Sequence, residues 1–191
     1  SINENEKKKC IQKFKHLLNS ELLPADLTIA TMTVVCKFDT KFNCINIGKY
    51  ISLHENKIQA VYYGDITDKT TNRVLVQCKK KKKKRKKTFY NQTTVRIKSK
   101  HDDKTLNVKV FKNGAIQMTG CKTIIGCIEV LHTLCKEIRK VKGIINPDTS
   151  LDIVLKPFAS DLHNVSLDNV YDLRICMINS GFDIGFNIDR E

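Results

Sequence analysis

From Phe89 to Thr119 the apolar side chains of this chain return at every second residue of each strand-like run, and after Gly120 they return along a 3.6-residue period. The second pattern runs through Ile124, Cys127, Ile128, Leu131, Leu134, Cys135, Ile138 and Val141. The first period belongs to strands with two unlike faces, the second to a helix with one apolar stripe. A half-apolar sheet and a one-striped helix bury each other, which leaves the other sheet face open to solvent. The fold class expected is therefore α+β: an antiparallel sheet with a long helix over about 123–142 on one face. Thr123 suits that helix as N-cap, Lys136, Arg139, Lys140 and Lys142 suit its C-terminal end, and Gly143 suits its stop.

The remaining elements follow from the same periods. Ile11, Phe14, Leu17 and Leu18 share one stripe of a short helix within 6–19, which Pro24 closes. Leu27 to Phe38 is rich in Thr, Val, Ile and Met and reads as a strand, Cys44 to Leu53 as a short helix, and Ile58 to Tyr63 and Arg73 to Cys78 as brief strands. Phe89 to Lys100, Thr105 to Phe111 and Ala115 to Thr119 alternate, and Lys112-Asn113-Gly114 is a hairpin turn between the last two. Residues 145–171 hold Pro147, Pro157 and one apolar stretch, Leu151 to Leu155, and read as a connector with a short strand. The final segment repeats the first strand: Asp26-Leu27-Thr28-Ile29 returns as Asp172-Leu173-Arg174-Ile175, and Phe38-Asp39 as Phe182-Asp183. The organisation expected is a helical segment at 1–24, a first repeat at 25–144, a connector at 145–171 and the start of a second repeat at 172–191.

Charge narrows the partners. Lys and Arg number 34 against 20 Asp and Glu, a net charge of +14, in a chain of 191 residues. Such a field attracts polyanions, nucleic acid or an anionic membrane. Part of it is the unbroken basic run Lys79 to Lys87, an insertion between strands that stays solvated by self-repulsion. A nuclear-localisation signal, an arm for the DNA backbone and a bland solvated loop are equally open readings of it. No apolar stretch approaches the ~20 residues of a bilayer span, and no apolar h-region marks a signal peptide, so no membrane partner is expected. The eight cysteines form no CxxC pair and the five histidines stand at no zinc spacing beside them, so neither metal nor cofactor is expected. Thiols inside apolar runs behave as small hydrophobes in a reducing compartment. Gly-rich phosphate loops, HExxH and GxSxG are absent from the sequence. His132 lies on the long helix and Asp68, Asp102 and Asp103 in turns, and no enzyme activity is expected from them.

Splitting the strands by parity exposes a candidate site. Leu106, Val108, Val110, Ile116, Met118, Val95 and Ile97 share the face that the helix covers. The other face carries Asn107, Lys109, Phe111, Gln117, Thr119, Tyr90, Gln92, Thr94 and Arg96. Polar groups, cations and aromatics on an open sheet suit a polyanion. Minor-groove binders read the groove with such polar side chains and unstack a step with an apolar wedge. Stacking of single-stranded RNA on the sheet face is the nearest alternative, followed by a protein-interaction module.

Two segments then carry a resemblance. Ile29-Ala-Thr-Met-Thr-Val-Val-Cys36-Lys-Phe-Asp resembles the first strand of a TATA-box-binding protein repeat. Phe111-Lys-Asn-Gly-Ala-Ile-Gln-Met-Thr-Gly120-Cys-Lys resembles that family's Phe-x-x-Gly-x-x-x-x-Thr-Gly-Ala-Lys segment, with a long helix following as it should. The wording is most similar to the divergent versions of large DNA viruses. The resemblance implies a curved sheet with the helix on its convex side. It also implies binding of double-stranded promoter DNA in the minor groove, bending of that DNA, and general transcription factors and RNA polymerase as partners. The location implied is the nucleus or a cytoplasmic viral factory.

Carried over by residue, Phe111 matches one wedging aromatic, with Tyr90 as its partner, or Phe89 in the register shifted by one. Thr119 matches a groove contact, Arg96 a phosphate contact and Ile29 an apolar groove contact, while Gln117 replaces an apolar one. Thr31, Gln92, Thr94 and Lys109 join the DNA-binding set, as does Ile175 from the second repeat. Leu27 and Leu173 stand where the family has two central Asn residues, a departure that bears on any preference for TATA. The family's saddle needs two complete repeats, so a chain of this length would need a dimer or further sequence to complete it.

Overall fold

The computed structural model describes residues 2–18, 28–64, 72–75, 91–146, 148 and 152–181. In chain order its elements are α1 (Ile2–Lys13), β1 (Thr28–Lys37), α2 (Cys44–Tyr50), β2 (Ile58–Tyr63), β3 (Asn72–Val74), β4 (Gln92–Ser99), β5 (Lys104–Phe111), β6 (Ala115–Cys121), α3 (Ile124–Ile138), β7 (Lys142–Ile145), β8 (Ile153–Lys156) and β9 (Tyr171–Gly181). Seven strands form one antiparallel sheet in the order β3-β2-β4-β5-β6-β1-β9, and β7 and β8 form a separate hairpin. The strand that opens the expected second repeat therefore lies directly beside the first strand of the chain.

Cross-strand pairing shows why the alternation matters. Val61, Val95, Val108, Met118, Val34 and Ile175 stand in register from β2 to β9. All but Ile175 are fully enclosed or nearly so, and Ile175 packs on the same cluster. This apolar row is the floor of the core, and α3 is its roof: Ile124, Cys127, Ile128, Leu131, Leu134, Cys135 and Ile138 are all buried against it. Helix α1 lies over α3 and closes the outer layer with Cys10, joined by Phe14 just after the helix. Thr93 is a polar residue inside this core; its hydroxyl donates to the Cys44 carbonyl at 2.8 Å and so ties α2 to the sheet. A buried hydroxyl without such an acceptor would be costly.

The start of α3 is built as its sequence suggests. Thr123 Oγ1 accepts from Gly126 N at 3.0 Å and donates to Asp102 Oδ1 at 2.9 Å. A Cβ on Gly126 would run into the Asp102 carboxylate and push it off this cap, so glycine lets the carboxylate sit beneath it. Asp102 is thus more than a turn residue: it holds the helix N-terminus to the β4–β5 turn. At the β5–β6 hairpin, Gly114 adopts φ +89, and a Cβ there would meet the carbonyl oxygens of Phe38 and Thr40.

Two expectations require correction. The long helix ends at Ile138 with Arg139 as its C-cap, and 142–145 form a strand instead. The β-branched Ile144 and Ile145 pair with Val154 and Ile153, and Gly143 sits against the Ile153 side chain where a Cβ would not fit, so the glycine serves the hairpin rather than the helix stop. Leu173 is buried in the core, away from the open face. Of the cysteines, Cys10, Cys36, Cys44, Cys121, Cys127 and Cys135 are buried free thiols and Cys176 is exposed, while Cys78 lies outside the described residues. Among the described residues, no helix is long and apolar enough to cross a membrane and no cluster could hold a metal ion.

Candidate nucleic-acid interface

The face opposite α3 is ordered in rows by the same registers. One row runs Asn72, Tyr62, Thr94, Lys109, Gln117, Val35 and Arg174 from β3 to β9. The next runs Arg96, Asn107, Thr119, Thr33 and Met177. Phe111 pairs with Gln92 at the end where the β5–β6 hairpin turns, and Lys37 stands between Ala115 and Tyr171. The face therefore mixes hydroxyls and amides with cations, with Phe111 at the hairpin end and Val35 and Met177 among the polar residues on the β1–β9 side.

Its electrostatics are one-sided. Asp172 is shared by Lys37 at 3.8 Å and Arg174 at 3.6 Å. Arg96 and Lys109 form no ion pair among the described residues, so their charges are available to an outside anion. Phe111, Gln92, Thr94, Arg96, Lys109, Gln117 and Thr119 are all half-buried, held by neighbours on the sheet yet reachable from outside. On β1, Thr31 Oγ1 accepts from Asn179 Nδ2 at 3.1 Å, which links β1 to the edge strand β9 through side chains as well as backbone.

The structure thus brings together Thr31, Gln92, Thr94, Arg96, Lys109, Phe111, Gln117 and Thr119. It does not bring Ile29 and Ile175 with them: both pack against the core. The cause is a pair of β-bulges. Ile29 and Thr31 pair with the consecutive residues Ser180 and Asn179, which point to opposite faces, so the extra residue Ala30 turns Ile29 away. Likewise Thr33 and Val34 pair with Met177 and Ile175, with Cys176 as the extra residue. Tyr90, its alternative Phe89, Leu27, the basic run 79–87 and the recurring Phe182-Asp183 lie outside the described residues. Tyr62, Thr33, Met177 and Asn179 belong to the face and were not expected there. Parity does not mark Tyr62, because the polar residue of β2, Gln59, is set off from it by a bulge between Ile58 and Ala60.

Comparison with known proteins adds a relative. Over 168 residues the chain is 31% identical to a "TATA-box-binding protein-like" protein of Acanthamoeba polyphaga mimivirus, a match that covers 87% of this chain and 44% of that protein. The chain spans less than half the length of this relative. No family model and no solved structure matches.

Proposed function

Since this chain belongs to the TATA-box-binding protein-like family, we propose that it is a non-catalytic transcription initiation factor that binds double-stranded DNA in the minor groove through the sheet face opposite α3, and bends it. The observation that carries this reading is the ordered open face, with Arg96 and Lys109 unpaired among amides and hydroxyls and Phe111 at its end. Cations supply phosphate affinity, small polar groups suit the narrow groove, and an aromatic is the kind of wedge that opens a base step. Wedging of this kind is the handling of DNA already described for the TATA-box-binding protein itself. In this reading the further partners are general transcription factors and RNA polymerase, and the site of action is the nucleus or a cytoplasmic viral factory.

A competition measurement tests it. Labelled duplex bound to the chain is challenged with unlabelled duplex and with single-stranded RNA of equal length. Displacement by duplex at much lower concentration than by RNA is the expected result; preference for the single strand would replace this function with sheet-face RNA binding.

A further inference from the structure

Beyond Phe111 the open face gives way to a recess of about 400 Å³ lined by Lys41, Asn91, Phe111, Lys112 and Asn113. Segments far apart in sequence build it. Lys112 N donates to the Asn91 carbonyl at 3.0 Å, and Phe42 N to the Lys112 carbonyl at 3.1 Å. Ser160 N donates to the Lys41 carbonyl at 2.9 Å, and Lys41 N to Ser160 Oγ at 3.0 Å. Both lysines are therefore anchored by their backbones, with their ammonium groups free to reach. The lining holds two cations and two amides and no carboxylate, and neither lysine forms an ion pair among the described residues. Two like charges gathered at one recess repel, and an anion between them relieves that repulsion.

We propose that this recess is a seat for a backbone phosphodiester of the DNA strand next to the base step that Phe111 enters. The proposal rests on the duplex-binding reading above and adds to it a site off the sheet face. Phe111 is shared, because its ring stands at the end of the open face and in the wall of the recess. The minor groove is only ≈ 6 Å wide, so the phosphates that border it lie within a lysine's reach of an aromatic seated in it. Phosphate contacts position a protein without reading sequence. The seat would set which step Phe111 meets.

The test is the salt dependence of duplex binding by the full chain. In the double variant Lys41→Ala, Lys112→Ala the slope of log K against log salt should fall by about 1, because about one counterion fewer is released for the one phosphate left unneutralised. Binding should weaken on all duplex sequences alike. Lys112→Met alone should give a smaller fall in the same direction. The control Lys8→Ala, Lys9→Ala removes the same charge from the exposed side of α1 and should leave the slope unchanged. A double variant with the wild-type slope, or a control that flattens it equally, overturns the seat while duplex binding stands. A wild-type chain that binds no duplex overturns the underlying reading and the seat with it. Inorganic phosphate added at constant ionic strength should leave wild-type binding unchanged; competition that depends on Lys41 and Lys112 would instead make the recess a free-anion site and overturn the assignment to a strand-held phosphate.

Discussion

The two faces of the sheet are written within single strands, and β6 shows the contrast most directly. Ile116 and Met118 are enclosed beneath α3, while Gln117 and Thr119, one residue away, look out on the opposite side. On the buried side each position is constrained by volume, because interiors are packed to crystal density. On the open side each position is constrained by what it offers a partner. Adjacent residues of one strand should therefore fail in different assays.

The largest effect separates stability from binding. Met118→Ala removes a side chain enclosed by the apolar row and α3, and should cost about 2–5 kcal/mol of folding stability in chemical denaturation. Gln117→Ala, its neighbour, should stay within about 0.5 kcal/mol of wild type. Gln117→Ala should instead alter duplex affinity. Equal loss of stability from both variants would show that the open face is itself packed against something.

A smaller effect concerns pH and lies wholly on the helix side. Glu137 is disfavoured as an anion by burial, yet Lys140 at 2.8 Å and Lys57 at 3.4 Å outweigh that and hold its pKa below the usual 4.5. A carboxylate with a depressed folded pKa stabilises the fold above its unfolded value, and that contribution is lost as pH falls through the folded one. His132 is held below its usual 6.5, first by burial and then by Lys136, and its Nε2 has no hydrogen-bond partner among the described residues. Protonation then favours the unfolded chain, so stability falls as pH drops below 6.5. Thermal melts should show an upper acid loss that His132→Gln removes and a lower one, below pH 4.5, that Glu137→Gln removes. Neither variant should change duplex affinity at neutral pH; a change would couple the helix layer to the open face.

The helix layer and the middle of the sheet are legible in the sequence because β4, β5 and β6 keep strict alternation and α3 keeps its stripe. Lys109, Phe111, Gln117 and Thr119 can be assigned to one face by counting. Counting fails in β1 and β9, where Ala30 and Cys176 are extra residues that shift parity, and a bulge has no strong signature in side-chain type. The residue-by-residue resemblance puts Ile29 and Ile175 on the open face, whereas the bulges turn both toward the core, and Met177 and Asn179 are passed over. The stripe overextends the C-terminal end of α3 because Val141 continues it for one more turn, although the β-branched residues that follow pair with 153–156. The Lys41–Lys112 recess has no sequence signal, since it joins loops at 41, 91, 112 and 160.

The most direct test of the central claim is the bend of a bound duplex, followed by energy transfer between dyes at its two ends, for the wild-type chain and for Phe111→Ala. Phe111 is half-buried at the end of the open face, so its loss leaves no enclosed cavity and the fold should survive. The account predicts bent DNA with the wild-type chain and markedly straighter DNA with Phe111→Ala at saturation, alongside a melting temperature close to wild type. A variant that unfolds, or one that bends DNA as the wild type does, would contradict it.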